Sequence, residues 1–135
     1  MDMQREMADQ ARTAVDMVAA EFARVLDYSE ESVAVIEAVL GGLAEDADTA
    51  LFAEVALLFG AYIGEMIRRH DPRARWSAGS PGPSAPPPTL VVEGVEASPV
   101  AWCFKRLHYG QTANLVDAFD AHRERVSSAS LRHPA

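Results

Sequence analysis

Tyr62 and Glu65 stand out as polar side chains in the mostly apolar run from Leu51 to Ile67. Three residues apart, they are neighbours on a helix. Glu65 also precedes Arg69 by four, the favourable orientation for an ion pair. One reading is a surface salt bridge with the tyrosine hydroxyl at the core edge. The other is a polar pocket in which Arg69 holds Glu65 while Tyr62 faces a ligand. A carboxylate buried in that way could serve as a base, but no second catalytic group accompanies it.

Four arginines, Arg68, Arg69, Arg73 and Arg75, fall close together, and Lys105-Arg106 can join them in space. Such a run is either a solvated helix end or a docking patch for an anion or a partner. Arginine suits the latter because its planar fork donates two parallel hydrogen bonds. Trp76 is expected to cover the end of the central helix. Trp102 lies one helical step off its helix's apolar stripe, which leaves it at a core edge or in an interface.

Other chemistries are poorly supported. Cys103 falls on an apolar stripe and reads as a buried structural thiol. The four histidines, His70, His108, His122 and His133, have no metal-binding spacing, and HExxH is absent. There is no GxGxxG, Walker or GxSxG pattern. Gly79-Ser80-Pro81-Gly82 lacks the lysine and following helix of a phosphate loop. No catalytic residue, metal or cofactor is assigned.

Charge narrows the partners. Residues 1–65 carry 14 Asp and Glu against three Arg, whereas residues 66–135 carry nine Lys and Arg against six acids. A net charge of −8 argues against a nucleic-acid binder, which needs a basic footprint. A single cysteine excludes an internal disulfide, and the acidic start shows no secretory signal. The expected location is the cytoplasm.

The elements that must position these residues are mostly helical. Met7, Ala11, Val15, Val18, Phe22 and Val25 form a stripe that predicts a helix over 3–26. Ser29 is the expected N-cap of a second helix over 30–43, which Gly41-Gly42 should fray. These two helices are expected to form an antiparallel hairpin. Residues 50–70 predict a central helix apolar on several faces, with a small-residue row of Ala53, Ala56, Gly60 and Gly64 for close packing. Its length raises a membrane question, which Glu54 and Glu65 answer against. Asp71-Pro72 should stop it.

Beyond this helix the pattern changes. A short strand around Trp76 is followed by the Pro-rich stretch 79–88, which holds five of the eight prolines and reads as an exposed loop. Thr89–Val92 and Val95–Ala97 flank Glu93-Gly94 as a hairpin. Ser98-Pro99 opens a helix whose buried face is Val100, Cys103, Phe104 and Leu107, closed by Gly110. Thr112 is the expected cap of a last helix with Leu115, Phe119, His122 and Val126 inward. Residues 127–135 read as a flexible tail.

The run Phe59–Arg69 (FGAYIGEMIRR), then Trp76, then Leu90–Gly94 (LVVEG), then Pro99-Val100, Lys105–Leu107 and Gly110 resembles small proteins of unknown function from high-GC actinobacteria. Eleven arginines against one lysine agree with a GC-rich coding sequence. The resemblance spans residues 27–120 and implies an α+β fold without a reaction.

The expected architecture is one α+β domain over residues 1–126. It joins a helical hairpin and a central buried helix to a small two- or three-stranded antiparallel sheet and two C-terminal helices. The expected function is a non-enzymatic binding or accessory protein acting through protein contacts, using Tyr62, Glu65, Arg68, Arg69, Trp76, Trp102, Lys105 and Arg106. An acidic immunity or antitoxin-type protein that masks a basic partner is the first alternative. A ligand binder or enzyme using Tyr62 and Glu65 is the second. No nucleic acid or membrane is expected; a homo-oligomer is compatible with the sequence.

Overall fold

The computed structural model describes residues 2–46, 48–78 and 87–132. Among these residues five helices, α1 (Met3–Phe22), α2 (Ser32–Asp46), α3 (Phe52–His70), α4 (Pro99–Tyr109) and α5 (Leu115–Arg132), accompany three strands. The strands β1 (Arg75–Ser77), β2 (Thr89–Val92) and β3 (Val95–Ala97) form an antiparallel sheet in the order β1-β2-β3. The α+β class read from the sequence is the one observed.

The core is built around α3, as its composition requires. Every residue from Phe59 to Ile67 is buried. The preceding turn is less covered: Ala53 and Glu54 are exposed and Leu51 is half-exposed. Although Thr49–His70 is long and apolar enough to cross a membrane, most of it is inside the protein, which fits a soluble core helix. Two glycines set how close its neighbours come. A Cβ at Gly60 would lie 2.4 Å from the Cα of Val100, and one at Gly64 would lie 2.0 Å from the Trp76 ring. Their absence lets α4 and the indole rest directly on the helix backbone.

The sheet follows its pattern. Trp76, Leu90 and Ala97 pair in register and are buried against the helices, while Arg75, Val91 and Glu96 share the outer face. Glu93 and Gly94 both have positive φ, as a tight two-residue hairpin turn demands. The edge of β1 is closed by one side chain of α1. Gln4 donates to the Trp76 carbonyl at 2.9 Å and accepts from the Trp76 N–H at 3.0 Å. Both backbone groups that an edge strand leaves open are thereby satisfied.

Several local expectations are corrected. α1 packs along α3, whereas α2 packs on α4 and α5, so the substantial helix pairings do not include an α1–α2 hairpin. The connection 23–31 carries the chain away because α1 stops at Ala23, in the left-handed region. Val25, placed on the α1 stripe, is exposed. α2 begins at Ser32 rather than at 30, and Ser29 meets its start through the backbone: the Ser29 carbonyl accepts from the N–H and the hydroxyl of Ser32. Gly41-Gly42 does not end α2, which continues to Asp46, and the space at Gly41 admits the Arg106 guanidinium.

At the other end, Phe104 faces solvent, and Arg106 takes a buried place on α4. Ser98 caps α4 by accepting from the Ala101 N–H. Asn114, rather than Thr112, caps α5 by accepting from Val116 and Asp117. α5 runs to Arg132 with Ala129 buried, so 127–132 is helix where a tail was expected. Residues 79–86 of the Pro-rich stretch lie outside the described residues.

Candidate functional site

Tyr62 and Glu65 are both buried, and both are engaged by the scaffold. The Tyr62 hydroxyl accepts from the Tyr28 N–H at 2.7 Å and donates to Ser32 Oγ at 2.8 Å. Burial pushes its pKa above the ordinary tyrosine value. Tyr28 has a positive φ, which is costly for a residue with a side chain. Its carbonyl is in turn 2.8 Å from His70 Nε2. The connection after α1 is thus clamped onto α3 by two side chains.

Glu65 is held by Arg68, not by Arg69. Its Oε2 accepts from Arg68 Nη1 at 2.8 Å and from Trp76 Nε1 at 2.9 Å. The carboxylate therefore pins the indole against Gly64. Arg69 stacks over the Tyr28 ring, 3.5 Å from its centroid. Neither Tyr62 nor Glu65 borders the cleft described below. They act as struts, and a base at Glu65 has no access to a ligand there.

The basic surface proposed around Lys105-Arg106 is also corrected. Arg106 is buried, with its Nε 2.8 and 2.7 Å from the two carboxylate oxygens of Glu37. Glu37 Oε1 also accepts from the Leu115 N–H at 3.0 Å, so one carboxylate ties α2 to α4 and to the start of α5. Lys105 remains exposed. Trp102 is half-buried, its ring 5.7 Å from that of His122. Cys103 is buried; desolvation, with Glu37 adding to it, pushes its thiol pKa up, so it stays protonated and unreactive.

The structure instead assembles a cleft of about 340 Å³ between the end of α3, the β2–β3 hairpin and one face of α5. This volume is at the lower end of the range of about 300–1,000 Å³ typical of small-molecule sites. Met66, Ile67, Val92, Phe119 and Val126 supply its apolar surfaces. Glu30, His70, Asp71, Arg73, His122, Arg123, Ser127 and Ser130 supply its polar groups.

These polar groups differ in how firmly they are held. Arg73 donates from Nε and Nη2 to the two oxygens of Asp71 at 2.9 and 2.8 Å, and from Nη1 to Glu93 at 2.7 Å. That bidentate contact holds the Asp71 carboxyl below its usual pKa. Arg123 is loosely placed: its nearest carboxylates are Glu30 at 3.6 Å and Asp120 at 3.8 Å, and its side chain is half-exposed. His122 is only 2% exposed, and its Nδ1 has no hydrogen-bond partner among the described residues. Burial lowers its pKa, with Arg125 acting in the same direction, which favours the neutral imidazole.

A signal for this site is present in the sequence, since His122 sits on the apolar stripe of α5. A polar residue at a buried position is more informative than another apolar one. Reading 127–135 as a tail hides Ser127 and Ser130, and hence the wall. Among the described residues no cluster of three or more potential metal ligands occurs. No family model, curated protein or solved structure matches this chain.

Proposed function

We propose that the protein is a non-enzymatic binding protein that seats a small amphipathic molecule in the cleft between α3, the β hairpin and α5. The observation that supports this reading is a buried His122 with an unpartnered Nδ1, set in a wall that combines apolar side chains with a loosely held arginine. An unsatisfied buried polar atom costs about 1–3 kcal/mol, and a ligand that hydrogen-bonds to it recovers part of that cost. The proposed location is the cytoplasm, where the buried Cys103 stays reduced.

A fragment screen followed by amide chemical shifts tests the reading. Perturbations should cluster on Ile67, Val92, His122 and Val126. Trp102 emission should change as well, because its ring meets that of His122. Shifts scattered over the surface, or none, would reject it.

A second reading, binding of a basic protein, is favoured by a different surface. Phe104, Tyr109 and Leu51 are exposed, and the His108 ring packs 4.3 Å from Phe104 and 5.0 Å from the buried Phe52. Asp48 and Glu54 lie close along the chain. Aromatic centres with charged rims are typical of protein interfaces. Capture of a basic partner should weaken with salt and fail in Tyr109→Ala; a salt-insensitive complex counts against this reading.

A further inference from the structure

We infer that the ligand of the cleft is a small organic acid: one carboxylate on an apolar body, with Arg123 and His122 receiving the carboxylate and Glu30 competing for it. The inference rests on the cleft reading above and goes beyond it by naming the head group.

The argument begins with which groups are already committed. Arg73 meets Asp71 and Glu93 through three short contacts and reaches Ser130 Oγ at 3.4 Å. All three of its nitrogens are engaged, and it braces the end of α3 against the hairpin turn and α5. His70 is engaged through Nε2 with the Tyr28 carbonyl. Arg123 is different. Its contacts with Glu30 and Asp120, at 3.6 and 3.8 Å, are ion pairs beyond hydrogen-bond length. Its guanidinium lies 5.5 Å from the centroid of the Phe119 ring, on the apolar wall itself. Among the described cleft residues, Arg123 is therefore the cation with donor capacity to spare.

His122 precedes Arg123 on α5 and lines the cleft beside it, its Nδ1 buried and without a partner among the described residues. Arginine, with a neighbouring imidazole that carries its proton on Nδ1, suits the planar, two-oxygen geometry of a carboxylate. Met66, Ile67, Val92, Phe119 and Val126 suit an aryl or branched alkyl body. The charged groups around this head-group position are Glu30 from the connection after α1, Asp71 and Arg73 after α3, Glu93 in the hairpin, and Asp120 and Arg125 on α5. Asp71 and Glu93 are matched by Arg73. Glu30 and Asp120 remain opposite Arg123, and of these Glu30 belongs to the cleft. A ligand carboxylate must share Arg123 with Glu30, so Glu30 sets the affinity from within the protein.

The test compares 3-phenylpropionate with its neutral amide by calorimetry on the full chain. The acid should bind about tenfold more tightly than the amide, as one charge-assisted contact warrants. Arg123→Gln should erase that difference by weakening the acid far more than the amide. Glu30→Gln should tighten the acid several-fold and should not tighten the amide. Both positions are well exposed, and circular dichroism verifies folding. If the amide binds as well as the acid, or if Glu30→Gln weakens the acid, the head-group assignment falls while the cleft stands. If neither compound binds at millimolar concentration, both fall.

Discussion

Two arginine–glutamate pairs, Arg106–Glu37 and Arg123–Glu30, do opposite things in this protein. The first is buried, with the Arg106 and Glu37 side chains 5% and 12% exposed, and Glu37 has a further hydrogen bond from the start of α5. The second is open, with 55% and 44% exposure and a 3.6 Å separation. A buried pair carries a desolvation cost that only tight, fully satisfied geometry offsets. An exposed pair contributes little to stability and can exchange partners. The same residue types therefore make a structural tie between α2, α4 and α5 in one place and an available cation beside a cleft in the other.

Breaking the buried pair is the largest test. Glu37→Ala leaves Arg106 charged and uncompensated, which should cost about 3–5 kcal/mol in urea unfolding. A loss below 1 kcal/mol would mean that water reaches the guanidinium, and the contrast would disappear. Next comes the clamp that carries Glu30. Tyr62→Phe removes the acceptor of the Tyr28 N–H and the donor to Ser32, and should cost about 1–3 kcal/mol. Because Glu30 lies in the clamped connection, the variant should also broaden its amide resonance.

His122 adds a pH dependence beside the open pair. Its folded pKa is depressed below 6.5 by burial and by Arg125, so the unfolded chain takes up the proton first. Its contribution to stability is fully present above pH 6.5 and is lost as pH falls through the lower folded value. His122→Phe should flatten that part of the profile between neutral and acidic pH in denaturant melts; an unchanged slope would assign it to other groups.

Two glycines sharpen the packing side of the comparison. Gly42 has open space where a Cβ would be, whereas a Cβ at Gly41 would meet Arg106 Nη2 at 3.0 Å. Gly42→Ala should stabilise α2 by about 0.5–1 kcal/mol. Gly41→Ala should lose that gain, because the buried guanidinium has to shift. The smallest effect belongs to the open pair: Arg123→Gln and Glu30→Gln should each change stability by no more than about 0.5 kcal/mol. A larger loss from either would make this pair structural and weaken the case for a ligand.

Much of the fold is legible along the chain because its signals are local. Asp71-Pro72 ends α3, Ser98-Pro99 starts α4, and Glu93-Gly94 turns the hairpin. Each depends on φ preference or on a cap a few residues away. The errors arise where a local signal competes with a distant contact. Gly41-Gly42 reads as a helix end, yet α2 continues past it, with Arg106 packed at Gly41. Lys105-Arg106 reads as a basic patch, yet one of the two is buried on Glu37. Glu65 prefers Arg68 to Arg69 because Trp76, from β1, fixes the side of the helix on which its carboxylate sits.

Sequence alone determined the helical periods, the turn chemistry, the acidic first half and the apolar character of α3, since these are properties of neighbouring residues. Tertiary structure alone decided which charges pair. Arg106 finds Glu37 from 69 positions away, and Arg73 is taken up by Asp71 and Glu93, leaving Arg123 loosely held beside the cleft. Partner choice depends on distance and desolvation in three dimensions, and neither is encoded in spacing along the chain.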